Sequence, residues 1–133
     1  MNKVLLTLAI TGIIAQALKF LIYSVRYSTF HPLDLVATGG MPSSHSAFVT
    51  SLLIIVGRKT GIDSVEFAIA TVLACIVWYD AIGVRAVLGE QAHVLNVLQH
   101  FHRLKETLGH SFSEVFAGIA FGAIVTVIGI WIS

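Results

Sequence analysis

Apolar residues in this 133-residue chain gather into four long blocks, and that pattern limits the folds open to it more than any single motif. The first block runs from about Val4 to Tyr23, and the second opens after Gly39-Gly40-Met41-Pro42 and carries through Val56. The third covers about Val65 to Ile82 and the fourth about Val115 to Ile132. A hydrocarbon layer about 30 Å thick takes about 20 helical residues to cross, and only helices or closed barrels pair all their backbone groups inside it. Four segments are too few for a barrel, so all four read as membrane helices, the second of them short. Charged residues make up 11% of the chain, against about 25% in soluble domains, and mean hydropathy is +0.89. The expectation is one all-α domain over residues 1–133, a multi-pass bundle of about four transmembrane helices in a bacterial-type plasma membrane.

A formal net charge of +1 without any run of like charges argues against nucleic acid as a partner, and leaves membrane lipid as the expected one. Cys75 is the sole cysteine, so an intrachain disulfide is excluded, and its place in an apolar block suggests a packed, inert thiol. The N-terminus has the outline of a secretory signal, with Lys3, an apolar stretch and Ala15-Gln16-Ala17 as an A-x-A site. The apolar run continues through Leu18, Phe20, Leu21 and Ile22, however, which favours a retained first span. Between the third and fourth blocks, Val94, Val97, Leu98, Phe101, Leu104 and Leu108 recur at helical spacing among polar residues. An amphipathic connecting helix is expected there, lying in the interface, capping a site or simply packing on the bundle.

Consecutive spans alternate in direction, so the end of the first, the start of the second, the end of the third and the start of the fourth share one side. That side holds Lys19, Arg26, Ser43, Ser44, His45, Asp80, Arg85, His110 and Glu114, while the other has little beyond Lys3, Arg58, Lys59 and Asp63. Ionisable groups gathered at one membrane depth mark a site. Lys19 and Arg26 are two helical turns apart and can grip an anion together, although two headgroup anchors would look the same. Pro42 suits a first helical turn, and the amides of Ser43, Ser44 and His45 would then face an oxyanion, with His45 placed to protonate a leaving group; an ordinary Ser cap is the plainer alternative. His110 and Glu114, four apart, share a helix face, so the carboxylate can orient the ring as a nucleophile or the two can form a capping or interfacial pair. Asp80 and Arg85 are about 140° apart on a helix and meet only if Gly83 loosens the turn; Arg85 is the expected phosphate ligand and Asp80 a supporting partner for Lys19, Arg26 or Arg85. His93, His100 and His102 lack any recognised metal-ligand spacing. Gly118 and Gly122 form a G-x-x-x-G suited to close helix approach.

These residues, in this order, resemble the type 2 phosphatidic acid phosphatases, the superfamily that includes the vanadium haloperoxidases. Lys19 and Arg26 match its Lys, six residues, Arg-Pro motif, with Tyr27 in place of the Pro. Pro42-Ser43-Ser44-His45 matches Pro-Ser-Gly-His with Ser for Gly, and His110 with Glu114 matches His, three residues, Asp with Glu for Asp. The Ser-Arg that opens the third motif is missing: Leu104 stands where the Arg should be, between Arg103 and Lys105. Nearly the whole chain is similar to the short divergent branch related to acid phosphatase and haloperoxidase. The resemblance implies hydrolysis of a lipid phosphomonoester or diphosphate with no metal or other cofactor. His110 would form a phosphohistidine, Glu114 orient it and His45 protonate the leaving oxygen. Lys19, Arg26, the amides near Ser43 and Ser44, and Arg85 or Lys105 would neutralise the phosphate. The family usually has six spans, so a second copy could complete the groove as a homodimer. A membrane module that binds lipid phosphate without turnover, or a purely structural membrane protein, are the rival readings, and which side of the membrane carries the site stays open.

Overall fold

The computed structural model describes residues 3–27, 41–99, 101–104, 106 and 110–132. They form five helices and, among the described residues, no strand: α1 (Lys3–Tyr27), α2 (Ser44–Thr60), α3 (Val65–Ile82), α4 (Val84–Leu98) and α5 (Phe112–Ile132). Local chemistry sets several ends. Ser43 caps α2 by accepting the Ser46 N–H, and Ser64 caps α3 by accepting the Phe67 N–H at 3.1 Å. Gly61 closes α2 at φ 87°, in the left-handed region where a Cβ is disfavoured.

Three stretches are long and apolar enough to cross a membrane: Leu6–Val25, Val65–Leu98 and Phe112–Ile132. The expected second span corresponds to α2, whose 17 residues reach about 26 Å and end with Arg58 and Lys59 in the last turn. It falls short because it is built for the inside of the bundle. α2 packs against α1, α3 and α5, and α1 and α3 each lean on both α2 and α5 without touching one another among the described residues. Small and hydroxyl side chains therefore dominate what α2 buries, Ser46, Ala47, Thr50 and Ser51, with Val49 and Ile55 beside them.

The tightest approach is α2 on α5, and it depends on the G-x-x-x-G. A Cβ at Gly118 would lie 2.9 Å from the Ser46 Cβ and against the Ser43 carbonyl; one at Gly122 would lie 2.7 Å from the Ala47 Cα. Further along, a buried hydroxyl cluster joins three helices. Ser51 Oγ donates toward Thr11 Oγ1 of α1 at 3.2 Å and also meets Thr126 Oγ1 of α5. Both threonines hand their own protons to carbonyls one turn back, Thr7 at 2.9 Å and Gly122 at 2.6 Å. Every hydroxyl in the cluster is thereby satisfied without water, as a membrane core demands.

Three expectations are corrected here. Pro42 is not in the first turn: it precedes the Ser43 cap, and the helix proper begins at Ser44. The amphipathic helix lies earlier than the periodicity suggested, over Val84–Leu98, so Phe101 and Leu104 fall beyond its end and Leu108 lies outside the described residues. Cys75 is exposed on the outer face of α3 rather than packed.

Candidate functional site

Two backbone hydrogen bonds gather helix ends at one end of the bundle. Gly83 interrupts α3 and α4, and the Ala81 carbonyl accepts the His110 N–H at 3.1 Å. The Ser43 N–H donates to the Glu114 carbonyl at 3.1 Å. The start of α2, the end of α3 and the approach to α5 are thus pinned together, and the C-terminal part of α1 brings Lys19 to the same place. His45 lies within electrostatic range of Arg85, His110, Lys19 and Asp80. The sequence places these groups on one side, and the structure brings them together from α1, α2, α3, α4 and the approach to α5.

Burial divides the groups. Lys19 is 6% exposed and His110 8%, whereas the His45 side chain is exposed. An ammonium so enclosed within an apolar helix is costly unless it answers negative charge. The guanidinium of Arg85 meets Asp80 through Nε at 2.6 Å, both half-buried. Five residues apart, they meet because Gly83 breaks the helix between them, the condition the sequence required.

His110 and Glu114 also meet, by a different route from the one expected. His110 precedes α5 instead of sitting on its face, and its Nδ1 stands 3.1 Å from Glu114 Oε2. The same oxygen accepts the Ser111 N–H at 3.0 Å, while Ser111 Oγ accepts the Glu114 N–H at 3.3 Å. Ser111-Phe112-Ser113-Glu114 is therefore a capping box, an S-x-x-E signature present in the sequence and passed over there. With Nδ1 turned to the carboxylate, the ring leaves Nε2 as its outward nitrogen.

Ser43 takes a structural part: its amide serves the Glu114 carbonyl and its hydroxyl the α2 cap, accepting from Ser46 Oγ at 3.0 Å as well. The amides facing outward from the first turn of α2 are then those of Ser44 and His45, which no helix satisfies internally. The Arg26 side chain and Lys105 lie outside the described residues. His93 pairs with Glu106 rather than another histidine, Nδ1 to Oε2 at 2.9 Å, and His100 lies outside the described residues. Asn96 completes that outlying cluster by bonding the Leu104 backbone at both its N–H and its carbonyl, each at 2.7–2.8 Å, and Glu106 Oε1 at 2.7 Å.

An all-helical bundle with apolar, membrane-length helices and a polar site at one end defines an integral membrane protein. More particularly, residues 1–125 match the Divergent PAP2 family, and the chain belongs to that family. It is 37% identical to the uncharacterized membrane protein YuiD of Bacillus subtilis (strain 168), over 87% of this chain and 86% of that protein. No solved structure matches the chain.

Proposed function

We propose that the protein is a lipid-phosphate phosphatase, crossing a plasma membrane of bacterial type several times and hydrolysing a phosphomonoester or diphosphate through a phosphohistidine. The observation that carries this reading is the His110 ring, held through Nδ1 by Glu114, with His45 in electrostatic range of both that ring and the buried Lys19. Glu114 keeps the Nδ1 proton and stabilises the imidazolium, so Nε2 presents a lone pair to phosphorus. Attack forms the N–P bond and breaks the P–O ester bond, whose electrons leave with the alkoxide oxygen. His45 supplies the proton that oxygen needs. Water then attacks the phosphohistidine, His45 takes a proton from it, and inorganic phosphate departs from a restored His110. Lys19, Arg26, the Ser44 and His45 amides, and Arg85 or Lys105 balance charge on the equatorial oxygens, the main demand of phosphoryl transfer. In Arg85 the Asp80 bond occupies Nε, and the Nη groups form the prongs for phosphate.

The test is phosphate release by purified protein in detergent, with chelator present, from a panel of lipid phosphates. Release that disappears in both His110→Ala and His45→Ala supports the reaction. One observation favours a second reading, a module that binds lipid phosphate without turnover: the capping box gives Glu114 a structural reason to be there. Binding without release from any lipid, unchanged by His110→Ala, would decide for that module.

A further inference from the structure

Beside the site, a groove of about 480 Å³ runs along the outer face of α1, lined by Ala9, Gly12, Ile13, Gln16 and Ala17. From Ala9 to Ala17 it extends for about 12 Å of helix. Its upper end, Ala17, precedes Lys19 by two residues but points about 160° away from it around the helix. Gly12 and Lys19 are seven residues apart, about 20° around the helix, so the buried cation stands above the Gly12 edge of the groove, while exposed Ile13 and Ala17 turn outward. α2 repeats this order from the other side. His45 stands in range of Lys19, and one turn further from the site end Phe48 reaches the groove, since a methyl at Gly12 would meet the Phe48 ring at 3.6 Å. Two helices thus agree in register: charge and proton donor above, a shallow apolar trench below. The trench is open sideways, with Ile13 68% exposed, and lies within a stretch of α1 apolar enough to cross a membrane.

Resting on the phosphatase reading, we infer that this α1 groove seats the hydrocarbon chain of the substrate, with Gly12 and Ile13 setting how much chain is accepted. The occupant is the chain of the same molecule whose phosphate lies at Lys19 and His110. The Gly12 edge of the trench lies below the buried ammonium, which suits one amphiphile reaching from one to the other, and the sideways opening lets a chain slide in from the bilayer without leaving hydrocarbon. A soluble phosphate ester would leave the trench unused.

The experiment compares hexadecyl phosphate with butyl phosphate in detergent, using wild type, Gly12→Leu, Ile13→Trp and, as a control, Gly12→Ala, whose added methyl makes only ordinary contact with Phe48. The ratio of kcat/KM for the long ester over the short one should fall on the order of fivefold in Gly12→Leu and Ile13→Trp, through KM, and stay near wild type in Gly12→Ala; the effect is moderate because the chain comes from a micelle and not from water. An unchanged ratio in both large variants overturns the inference. A loss of dimer on size exclusion with the ratio unchanged also overturns it, and assigns the groove to a second copy. If wild type releases phosphate from neither ester, calorimetric binding of hexadecyl phosphate separates the two ideas. Weaker binding by Gly12→Leu keeps the groove and rejects only catalysis, and equal binding rejects the groove.

Discussion

One carboxylate oxygen, Oε2 of Glu114, accepts the Ser111 N–H and holds His110 Nδ1 at once, so the start of α5 and the direction of the ring are a single device. The two parts can be separated by substitution. Ser111→Ala removes the Oγ acceptor for the Glu114 N–H and should lower stability by about 1 kcal/mol, read as a shift in the thermal midpoint, with turnover retained. Glu114→Gln keeps an oxygen for the Ser111 N–H but cannot stabilise an imidazolium, so the midpoint should hold while kcat falls on the order of 10³-fold. Equal turnover in Glu114→Gln and wild type would reduce Glu114 to a cap. The chemical groups at this site were legible because Lys19, His45, His110 and Glu114 have no cheap place in an apolar sequence. Which amide they use was not. The Ser43 N–H faces the Glu114 carbonyl of a helix seventy residues away, and no local signal in Pro42-Ser43-Ser44 tells a capping amide from one left for phosphate.

Helices pair here by subtraction of side chains, and the closest pair should be the most sensitive. Gly118→Val would drive a branched Cβ into Ser43 and Ser46, against backbone that cannot retreat, and should destabilise the protein by about 1–3 kcal/mol or more, seen as an earlier thermal midpoint in detergent. Ser51→Ala should cost far less, about 0.6 kcal/mol, because Thr11 and Thr126 keep their own carbonyl partners. The attachment of Leu104 and Glu106 to α4 responds to acid instead. Hydrogen bonds from Asn96 first and His93 second hold the Glu106 carboxyl below its usual 4.5, so this attachment is complete above that value and lost as pH falls below it, through the lowered folded value. Proteolysis or hydrogen exchange at 101–106 should therefore rise in acid, and Asn96→Ala should show the raised rate already at neutral pH. The G-x-x-x-G was readable as a helix contact since small residues at that spacing have one main use in lipid. The amphipathic segment was misplaced because its apolar period runs past Leu98, where Gln99 turns to an extended backbone and Asn96 captures Leu104; a side chain that imitates a strand partner leaves no periodic trace.

At the scale of the molecule, α2 decides the topology. By length alone it is too short to cross about 30 Å of hydrocarbon, yet its first residues meet the end of α3 and the approach to α5, and its last turn carries Arg58 and Lys59 toward the opposite end. Long cationic side chains reach several ångströms beyond their backbone, so a helix of about 26 Å with two of them at one end and a polar site at the other can bridge the layer by snorkelling and local thinning. We propose four crossings on that ground, with the α2–α3 turn near Ile62 on one side and His102 on the other. In a Cys75→Ser background, Met41→Cys and Ile62→Cys, two exposed positions flanking α2, should then react with a membrane-impermeant maleimide from opposite faces of sealed vesicles. If α2 dips in without crossing, both cysteines label from one face, and the site would be served by three membrane helices and a re-entrant one. Length and hydropathy could not distinguish these, because a helix shielded by three neighbours need not look apolar to be held at membrane depth. The labelling result also places His110 relative to the two leaflets, and so states from which side, on the phosphatase reading, lipid phosphate would be presented.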